Sequence, residues 1–210
     1  MEMLSRRPEP PTERRRAVEA DVLQATEALL GEGASYANLS IERIATRAGI
    51  SRTAFYFYFA DKRELLMRLA AGVAEQLYRE AGTWWSGSGD GPAQLSEALG
   101  KIAALYRAHG PLVCAIVEVS TYDAHVGMSW RGLVARFVSA SAERIEAEQL
   151  AGRADPALDP TATAFALVWM TERSFHQMLV QDDPLPADEL VAALARVWSS
   201  TVYAIVDRQP

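Results

Sequence analysis

The sequence has few of the residues from which catalytic and metal sites are commonly built. It contains one cysteine, Cys114, so neither an intrachain disulfide nor a cysteine-based metal site can form. Its three histidines, His109, His125 and His176, show no metal-ligand spacing with one another or with acidic neighbours. It has no Gly-x-Ser-x-Gly, no Gly-rich phosphate loop and no His-Glu zinc motif. We therefore expect no metal, no cofactor and no enzymatic activity.

Long apolar segments are also missing. No uninterrupted apolar run approaches the ~20 residues that a membrane span needs, and the N-terminus lacks the apolar core of a signal peptide. Half of the residues are nevertheless hydrophobic, which is ample for a large core. The sequence therefore predicts a soluble cytoplasmic protein without a membrane partner.

The acidic net charge of −6 is distributed unevenly. Residues 1–70 hold eleven Lys and Arg against ten Asp and Glu, net +1, whereas residues 71–210 hold ten against seventeen, net −7. Because local patches set phosphate attraction more than net charge does, the basic clusters of the first part are compatible with nucleic acid. These clusters are Arg14–Arg16 and the set Arg43, Arg47, Arg52, Lys62 and Arg63. For Arg14–Arg16, a solvated helix start is an equally good interpretation.

The most informative stretch is residues 40–66, SIERIATRAGISRTAFYFYFADKRELL. Ser40 is a good N-cap before apolar residues at helical spacing, and Gly49 can take the positive φ that ends a helix. Ser51 caps a second short helix after a turn of about three residues, the connection length of a helix-turn-helix. Asp61 opens a third helix with a capping box. The stretch therefore predicts a helix-turn-helix.

Five consecutive aromatic residues, Phe55 to Phe59, occupy the middle helix. Phe55 and Phe59 share one helical face and are predicted to fill the centre of the small domain. Tyr56 and Tyr58 are predicted at the surface, where a hydroxyl tip suits hydrogen bonds to phosphate oxygens. For Phe57 both core and surface remain open.

Three segments of this region together resemble the DNA-binding signature of the TetR (tetracycline-repressor-like) family: Ala45 with Ala48–Ser51, Phe55–Phe59, and Asp61–Leu66. The family usually has a His where this chain has Tyr58. The aromatic run and Thr171-Glu172-Arg173 further resemble a mycobacterial regulator of this family. The resemblance implies a DNA-binding domain followed by a helical domain that binds a small molecule and dimerises.

The N-terminal end of the second helix contacts bases in helix-turn-helix proteins, so Arg52 and Thr53 are expected at base edges. Tyr56, Tyr58, Lys62 and the backbone at the Ser40 helix start are expected at phosphates. The complete candidate DNA-binding set is Ser40, Arg43, Ser51, Arg52, Thr53, Tyr56, Tyr58 and Lys62.

The periodicity predicts an all-α chain of about nine helices in three regions. Residues 1–12, which contain three prolines, are expected to be a mobile arm. Residues 13–66 form the helix-turn-helix DNA-binding domain, and residues 67–210 the C-terminal ligand-binding and dimerisation domain. The helix opened by Asp61 is predicted to run to about Ala81, before a Gly/Ser-rich break. It is the only element that the sequence places in both domains.

The C-terminal region is rich in Trp and Phe. For any single residue, core filling is the better interpretation, but the set indicates an apolar cavity. Thr171 and Glu172 are candidates for its polar groups, with a structural Glu172–Arg173 ion pair as the alternative. The resemblance implies that this stretch borders a ligand tunnel. The candidate ligand-binding set is Trp130, Phe137, Phe165, Val168, Trp169, Thr171, Glu172, Phe175 and Trp198.

The last helix, predicted over residues 187–206, is apolar nearly all round and should be buried on both faces. One face would pack within the subunit, and the other would join the preceding helix in a four-helix homodimer interface. The alternative is a single large core that surrounds this helix; the family resemblance favours the homodimer.

Two functions from different classes follow. The first is a ligand-responsive transcriptional repressor that binds near-palindromic double-stranded operator DNA as a dimer and is released by a small, largely apolar effector. The second is a small-molecule-binding helical protein or carrier whose helix-turn-helix does not regulate transcription. The presence of Arg52, Thr53, Tyr56 and Lys62 on the helix-turn-helix favours the first.

Overall fold

A computed structural model describes residues 13–87, 89–181 and 184–203. Within these ranges the chain forms nine α-helices and no strand, which confirms the all-helical prediction. The proposed mobile arm, residues 1–12, and the predicted end of the last helix beyond Tyr203 lie outside the described residues. The helices are α1 (Glu13–Gly31), α2 (Ile41–Arg47), α3 (Arg52–Phe55), α4 (Lys62–Trp85), α5 (Gly91–Ala108), α6 (Gly110–Ser120), α7 (Ala124–Leu150), α8 (Pro160–Val180) and α9 (Ala187–Val202).

The residues form two compact units that divide between Leu65 and Leu66. The first, unit 1, holds α1 to α3 and the first turn of α4. The second, unit 2, holds the rest of α4 and α5 to α9. Helix α4 is thus continuous through the division.

The turn of the helix-turn-helix is built by local hydrogen bonds. The Ser40 hydroxyl accepts from the amide of Arg43 at 3.2 Å and caps α2, as predicted. Gly49 has φ +72° and follows the end of α2. Its amide donates to the Thr46 carbonyl, and the Ile50 amide donates to the Ala45 carbonyl at 3.0 Å. This pair of bonds is the Schellman motif, which needs a residue at positive φ.

Unit 1 is held together by the aromatic residues predicted for its core. Phe55 and Phe59 are buried, and their ring centroids lie 5.4 Å apart. Leu39, Ile44 and Leu65 are buried in the same unit. Burying a side chain of this size contributes roughly 1.5–3 kcal/mol, so this small unit depends on few residues.

Unit 2 is organised by pairs of packed helices. Helix α7 packs against α8 and α6, and α5 packs against α9. Asp90, Asp123 and Asp159 each cap the helix that follows by accepting from backbone amides. Helix α6 is buried on most sides, in keeping with its apolar composition.

Helix α4 is longer than its sequence predicts. It continues to Trp85, four residues beyond Ala81, and passes through Gly82. A glycine inside a helix costs about 1 kcal/mol, but the tryptophans that follow recover more by burial. Trp84 packs its ring on Trp198 at 5.3 Å, and Trp85 packs on Tyr78 at 4.4 Å. The expectation of a break beginning at Gly82 is therefore wrong.

Among the described residues, no single helix is long and apolar enough to cross a membrane. The consecutive helices α5 and α6 pass such a test only when taken together, and they are bent by 83°.

Candidate DNA interface and ligand cavity

The first candidate site is the surface at the N-terminal end of α3. Ser51 caps this helix, its hydroxyl accepting from the Ala54 amide at 3.1 Å. Arg52 and Thr53 follow in the first turn with exposed side chains. The hydroxyls of Ser40 and Ser51 are occupied as caps, so these two serines position the helices, while Arg52 and Thr53 carry the side chains available to a base edge.

The side chains of the aromatic run Phe55–Phe59 differ in exposure according to their positions along the chain. Tyr56 is exposed, and Tyr58 is partly buried with the Arg15 guanidinium 5.9 Å from its ring centroid. Phe57, for which both alternatives were open, is 73% exposed. The phenolic groups of Tyr56 and Tyr58 therefore belong to the outer part of unit 1, where phosphate oxygens are the expected partners.

Lys62 lies in the first turn of α4, as expected, but its side chain already has partners within unit 1. Its ammonium donates to the backbone carbonyls of Tyr36 at 2.6 Å and Ala37 at 3.3 Å, and it lies 4.8 Å from the Tyr36 ring centroid. The Tyr36 hydroxyl in turn donates to the Lys62 carbonyl. Burial lowers the pKa of Lys62. Lys62 thus fastens the loop between α1 and α2 to the start of α4, rather than presenting a free ammonium to phosphate.

The basic side chains around this surface differ in whether they form an ion pair with an acidic side chain. Arg43 is exposed, and Arg14 and Arg16 are exposed at the start of α1. Arg47 forms an ion pair with Glu32 at 2.7 Å, and its hydrogen bond lowers the pKa of Glu32. Arg47 is therefore engaged by an acidic partner, whereas Arg43 and Arg52 are exposed and form no ion pair with an acidic side chain among the described residues.

The second candidate site is an apolar cavity of about 90 Å³ in unit 2. Because a water molecule needs about 10–15 Å³ of such space, this cavity has room for several waters or a small ligand. It is lined by residues of α4, α5, α7 and α8 and by one residue of α9. The lining includes Trp130, Phe137, Val168, Thr171, Glu172, Phe175 and Trp198 from the predicted ligand set.

Two residues of the predicted ligand set lie elsewhere. Phe165 is 56% exposed, and neither it nor Trp169 lines the cavity. Their ring centroids lie 6.3 Å apart on α8. The expectation that Phe165 and Trp169 line the cavity is therefore wrong.

Sequence reasoning missed the walls that α4 and α5 contribute. Helix α4 supplies Trp84 and Trp85, which had been placed in the expected break. The apolar residues of α5 recur at helical spacing, but this spacing does not show that their face borders a cavity. The further lining residues are Ala74, Leu77, Ala81, Trp84, Trp85, Leu95, Ala98, Leu99, Ile102, Tyr106, Leu133, Val134 and Ser141.

Most polar groups of the cavity wall already have partners. The indole N–H of Trp198 donates to the Thr171 hydroxyl at 2.8 Å, and that hydroxyl donates to the Leu167 carbonyl. The indole N–H of Trp85 donates to the Ser141 hydroxyl at 3.3 Å. Thr171, one of the two proposed ligand-binding polar groups, is thus already engaged on both its donor and one acceptor site.

The Glu172 carboxylate, by contrast, has no such partner. It is only 5% exposed, and neither carboxylate oxygen has a hydrogen-bond partner among the described residues. The nearest cation is the guanidinium of Arg173, whose Nε lies 3.9 Å away on a half-exposed side chain. Burial raises the pKa of Glu172, and the charge of Arg173 only partly opposes this.

No group of three or more His, Cys, Asp or Glu side chains within the described ranges is arranged to hold a metal ion. Cys114 is partly buried in α6, and burial raises the pKa of its thiol.

Two family models match the chain. The model of bacterial regulatory proteins of the tetR family matches residues 22–69, and that of the C-terminal domain of the transcriptional regulator EthR matches residues 95–204. The chain belongs to the TetR family of transcriptional regulators. This confirms the resemblance drawn from residues 45–66, and this TetR-family chain is accordingly a DNA-binding regulator and not an enzyme.

Individual relatives agree with the family. The HTH-type transcriptional regulator EthR of Mycolicibacterium smegmatis is 28% identical over 191 residues, covering 88% of this chain and 86% of that protein. A TetR-family regulator from Mesorhizobium loti superposes with a TM-score of 0.72 at 19% identity, covering 92% of this chain and all of the other. The transcriptional regulator FadR from Bacillus subtilis, solved in complex with stearoyl-CoA, superposes with a TM-score of 0.72 at 13% identity. The match covers 85% of this chain and 96% of the FadR chain. These two solved structures show the shared fold.

Proposed function

We propose that this TetR-family regulator is a ligand-responsive repressor, which binds near-palindromic operator DNA as a homodimer and is released by a small, largely apolar effector. The observation that carries the proposal is the course of α4. This helix begins at Lys62, in the unit that holds the helix-turn-helix, and its later residues line the cavity. A ligand in the cavity therefore touches an element that is continuous with the DNA-binding unit.

The DNA contacts follow from exposure and charge. Arg52 and Thr53 read base edges in the major groove, where an arginine paired with guanine contributes about 1–3 kcal/mol of discrimination. Tyr56, Tyr58 and Arg43 contact phosphates together with the backbone at the start of α2. Ser40, Ser51 and Lys62 hold the geometry of these elements.

The homodimer is proposed to form through α8 and α9. Each of these helices carries exposed apolar side chains, Phe165 on α8 and Val197, which is 42% exposed, on α9. Trp169 extends the same face of α8. Pairing these faces across a two-fold axis would bury apolar surface and set two recognition helices about 34–36 Å apart or a multiple of that distance.

The effector is proposed to be largely apolar because aromatic and aliphatic side chains make up most of the cavity wall. The stearoyl-CoA complex of FadR shows that a protein of this fold takes a ligand with a long apolar chain. Since the proposed target is chromosomal DNA, we place the protein in the cytoplasm.

A mobility-shift titration with DNA from upstream of the protein's own coding region tests this function. The wild type should bind one or more such fragments in preference to random DNA. Arg52→Ala should lose that preference by about ten- to a hundredfold while keeping weak general binding. Arg107→Ala, which removes an equal charge from an exposed position on α5, is the matched control and should leave the preference unchanged.

A protein with the alternative function, a carrier with an inactive helix-turn-helix, would bind small molecules but show no preference among DNA sequences. Full preference in Arg52→Ala would instead mean that other residues read the bases. Either result contradicts a specific part of the proposal.

A further inference from the structure

Glu172 is the only acidic side chain in the cavity wall, and neither of its carboxylate oxygens has a hydrogen-bond partner among the described residues. Of the side-chain nitrogen and oxygen atoms lining the cavity, only its two oxygens are both fully buried and without a partner in the part of the chain that the structure describes. An unsatisfied buried acceptor costs the full desolvation of that group, about 1–3 kcal/mol and more when it is charged. A ligand that supplies hydrogen-bond donors to Glu172 would remove this cost.

The charges around Glu172 favour a positively charged donor. Tyr106, which also lines the cavity, stays neutral because burial and the charge of Glu172 raise its pKa. One turn further along α8, burial and the charge of Arg173 lower the pKa of His176, so this residue is uncharged at neutral pH. Arg173 makes no hydrogen bond to Glu172 at 3.9 Å, and its half-exposed side chain is screened by water.

The remaining wall suits the same kind of ligand. Four tryptophans (Trp84, Trp85, Trp130 and Trp198) line the cavity together with Tyr106, Phe137 and Phe175. Aromatic faces attract cations, with tryptophan the strongest, by about 0.5–2 kcal/mol depending on desolvation. They also accept apolar groups. The lining side chains include neither lysine nor arginine, so no positively charged side chain in the wall attracts a carboxylate.

We propose that the effector is a small lipophilic amine, whose ammonium group binds the Glu172 carboxylate while its apolar part lies against the tryptophan and phenylalanine rings. This inference rests on the proposed ligand-responsive function and specifies the chemical class of the effector. Glu172 supplies the selectivity for charge, and the aromatic wall supplies the affinity for the apolar part.

The test uses three probes of equal chain length: hexylamine as cation, hexan-1-ol as neutral control and hexanoate as anion. Calorimetric titration of the full-length protein near neutral pH should show hexylamine binding at least about tenfold more tightly than hexan-1-ol, the loss expected when a charge-assisted hydrogen bond is absent. Hexanoate should bind least.

The variant Glu172→Gln keeps the size of the side chain and removes its charge. It should lose the preference for hexylamine while its affinity for hexan-1-ol stays within about twofold, which also shows that the cavity is intact. Glu189→Gln, which removes an exposed acidic charge on α9, should retain the wild-type preference. A loss of equal size in Glu189→Gln would assign the effect to overall charge and overturn the proposal.

Three other results would overturn it: no binding of hexylamine by the wild type at millimolar concentration, equal affinity for amine and alcohol, or an unchanged preference in Glu172→Gln. A parallel operator-release assay distinguishes failure of the amine proposal from failure of the proposed repressor function. Release by hexan-1-ol but not by hexylamine would preserve the repressor function and refute the amine. A Glu172-dependent preference for hexylamine without operator release would support the amine site and contradict the repressor mechanism.

Discussion

At the scale of single residues, unit 2 contains two buried glutamates with opposite surroundings. Glu148 is 1% exposed and bonds Arg153 at 2.6 Å, with Arg144 one turn before it on the same helix face. Glu172 has an arginine only at the next position, and neighbours in a helix point about 100° apart. The sequence alternative of a structural Glu172–Arg173 pair therefore reduces to a weak contact. Position within the helical repeat decides which carboxylate is neutralised.

This contrast predicts how stability depends on pH. Because burial raises the pKa of Glu172 above its unfolded value, the folded state binds more protons than the unfolded state between the two pKa values. The Glu172 contribution is fully present below the ordinary glutamate pKa of about 4.3 and is lost as pH rises through the folded pKa. We expect Glu172→Gln to be more stable than wild type at neutral pH, by about 1–3 kcal/mol.

Denaturant unfolding of both proteins from acid to neutral pH measures this difference. The gap between variant and wild type should widen as pH rises. Glu148→Gln is the internal contrast, since it leaves buried arginine charge without its partner and should destabilise the protein by about 3–5 kcal/mol. A Glu172→Gln variant that is less stable than wild type at neutral pH would mean that the carboxylate is well solvated or paired.

At the scale of elements, the sequence predicts best what short-range bonds determine. Ser40, Ser51 and Gly49 end or begin helices through contacts within five residues, and each was predicted correctly. The end of α4 and the backbone partners of Lys62 were not predicted, because the residues that determine them are distant in sequence. Trp84 extends α4 by packing on Trp198, and Lys62 is held by carbonyls 25 and 26 residues earlier.

Two glycines allow the same substitution to be tested with opposite expectations. A Cβ at Gly49 or at Gly72 would meet no atom within 4 Å, so neither site is crowded. Gly49 has φ +72°, which costs an alanine about 1–2 kcal/mol, whereas Gly72 lies inside α4, where alanine is better by about 0.5–1 kcal/mol.

Gly49→Ala should lower the thermal midpoint by a few degrees, and Gly72→Ala should raise it slightly, since 1 kcal/mol shifts the midpoint of a chain of this size by about 2–4 °C. Scanning calorimetry of both variants measures the signs. If Gly49→Ala did not destabilise, the turn between α2 and α3 would have to relax to negative φ. Operator affinity would then show whether the helix-turn-helix tolerates that change.

At the scale of the whole molecule, the sequence predicted that α8 borders a cavity but could not assign every aromatic residue to a face. Val168, Thr171, Glu172 and Phe175 line the cavity, whereas Phe165, earlier on the same helix, is exposed and does not. Composition alone cannot make this distinction, because a helix apolar on two faces has two candidate partners. The walls from α4 and α5 were missed for a related reason: a cavity is enclosed by several helices, and periodicity within one helix does not show which others complete it.

The outward face of α8 and α9 predicts the assembly. Ala193 and Val197 are exposed one turn apart on α9, so replacing both with arginine should introduce charge into the proposed dimer interface without disturbing the core. Sedimentation should show monomers, and operator affinity should fall towards that of a single half-site. Ala104→Arg, at an exposed position on α5, should remain dimeric. A dimer that survives both α9 substitutions would place the interface elsewhere on unit 2.

The final prediction concerns coupling between the cavity and DNA. Helix α4 contributes two of the four tryptophans that line the cavity, Trp84 and Trp85, together with Ala74, Leu77 and Ala81. The first turn of the same helix carries Lys62 and belongs to unit 1. A ligand can shift the DNA-binding equilibrium only by its differential affinity for the two states, typically 1–3 kcal/mol or about 5–150-fold. Because binding linkage is reciprocal, saturating operator DNA must weaken ligand binding by the same factor by which the ligand weakens operator binding.

Tryptophan fluorescence reports occupancy of the cavity by ligand, since four of the five tryptophans line the cavity. Titration with hexylamine, with and without operator, yields one factor, and operator titration with and without hexylamine yields the other. Leu77→Ala, which removes a lining side chain from α4, should change both factors together. Equal ligand affinity in the presence and absence of operator would leave a DNA-binding protein with a ligand cavity but no switch between them.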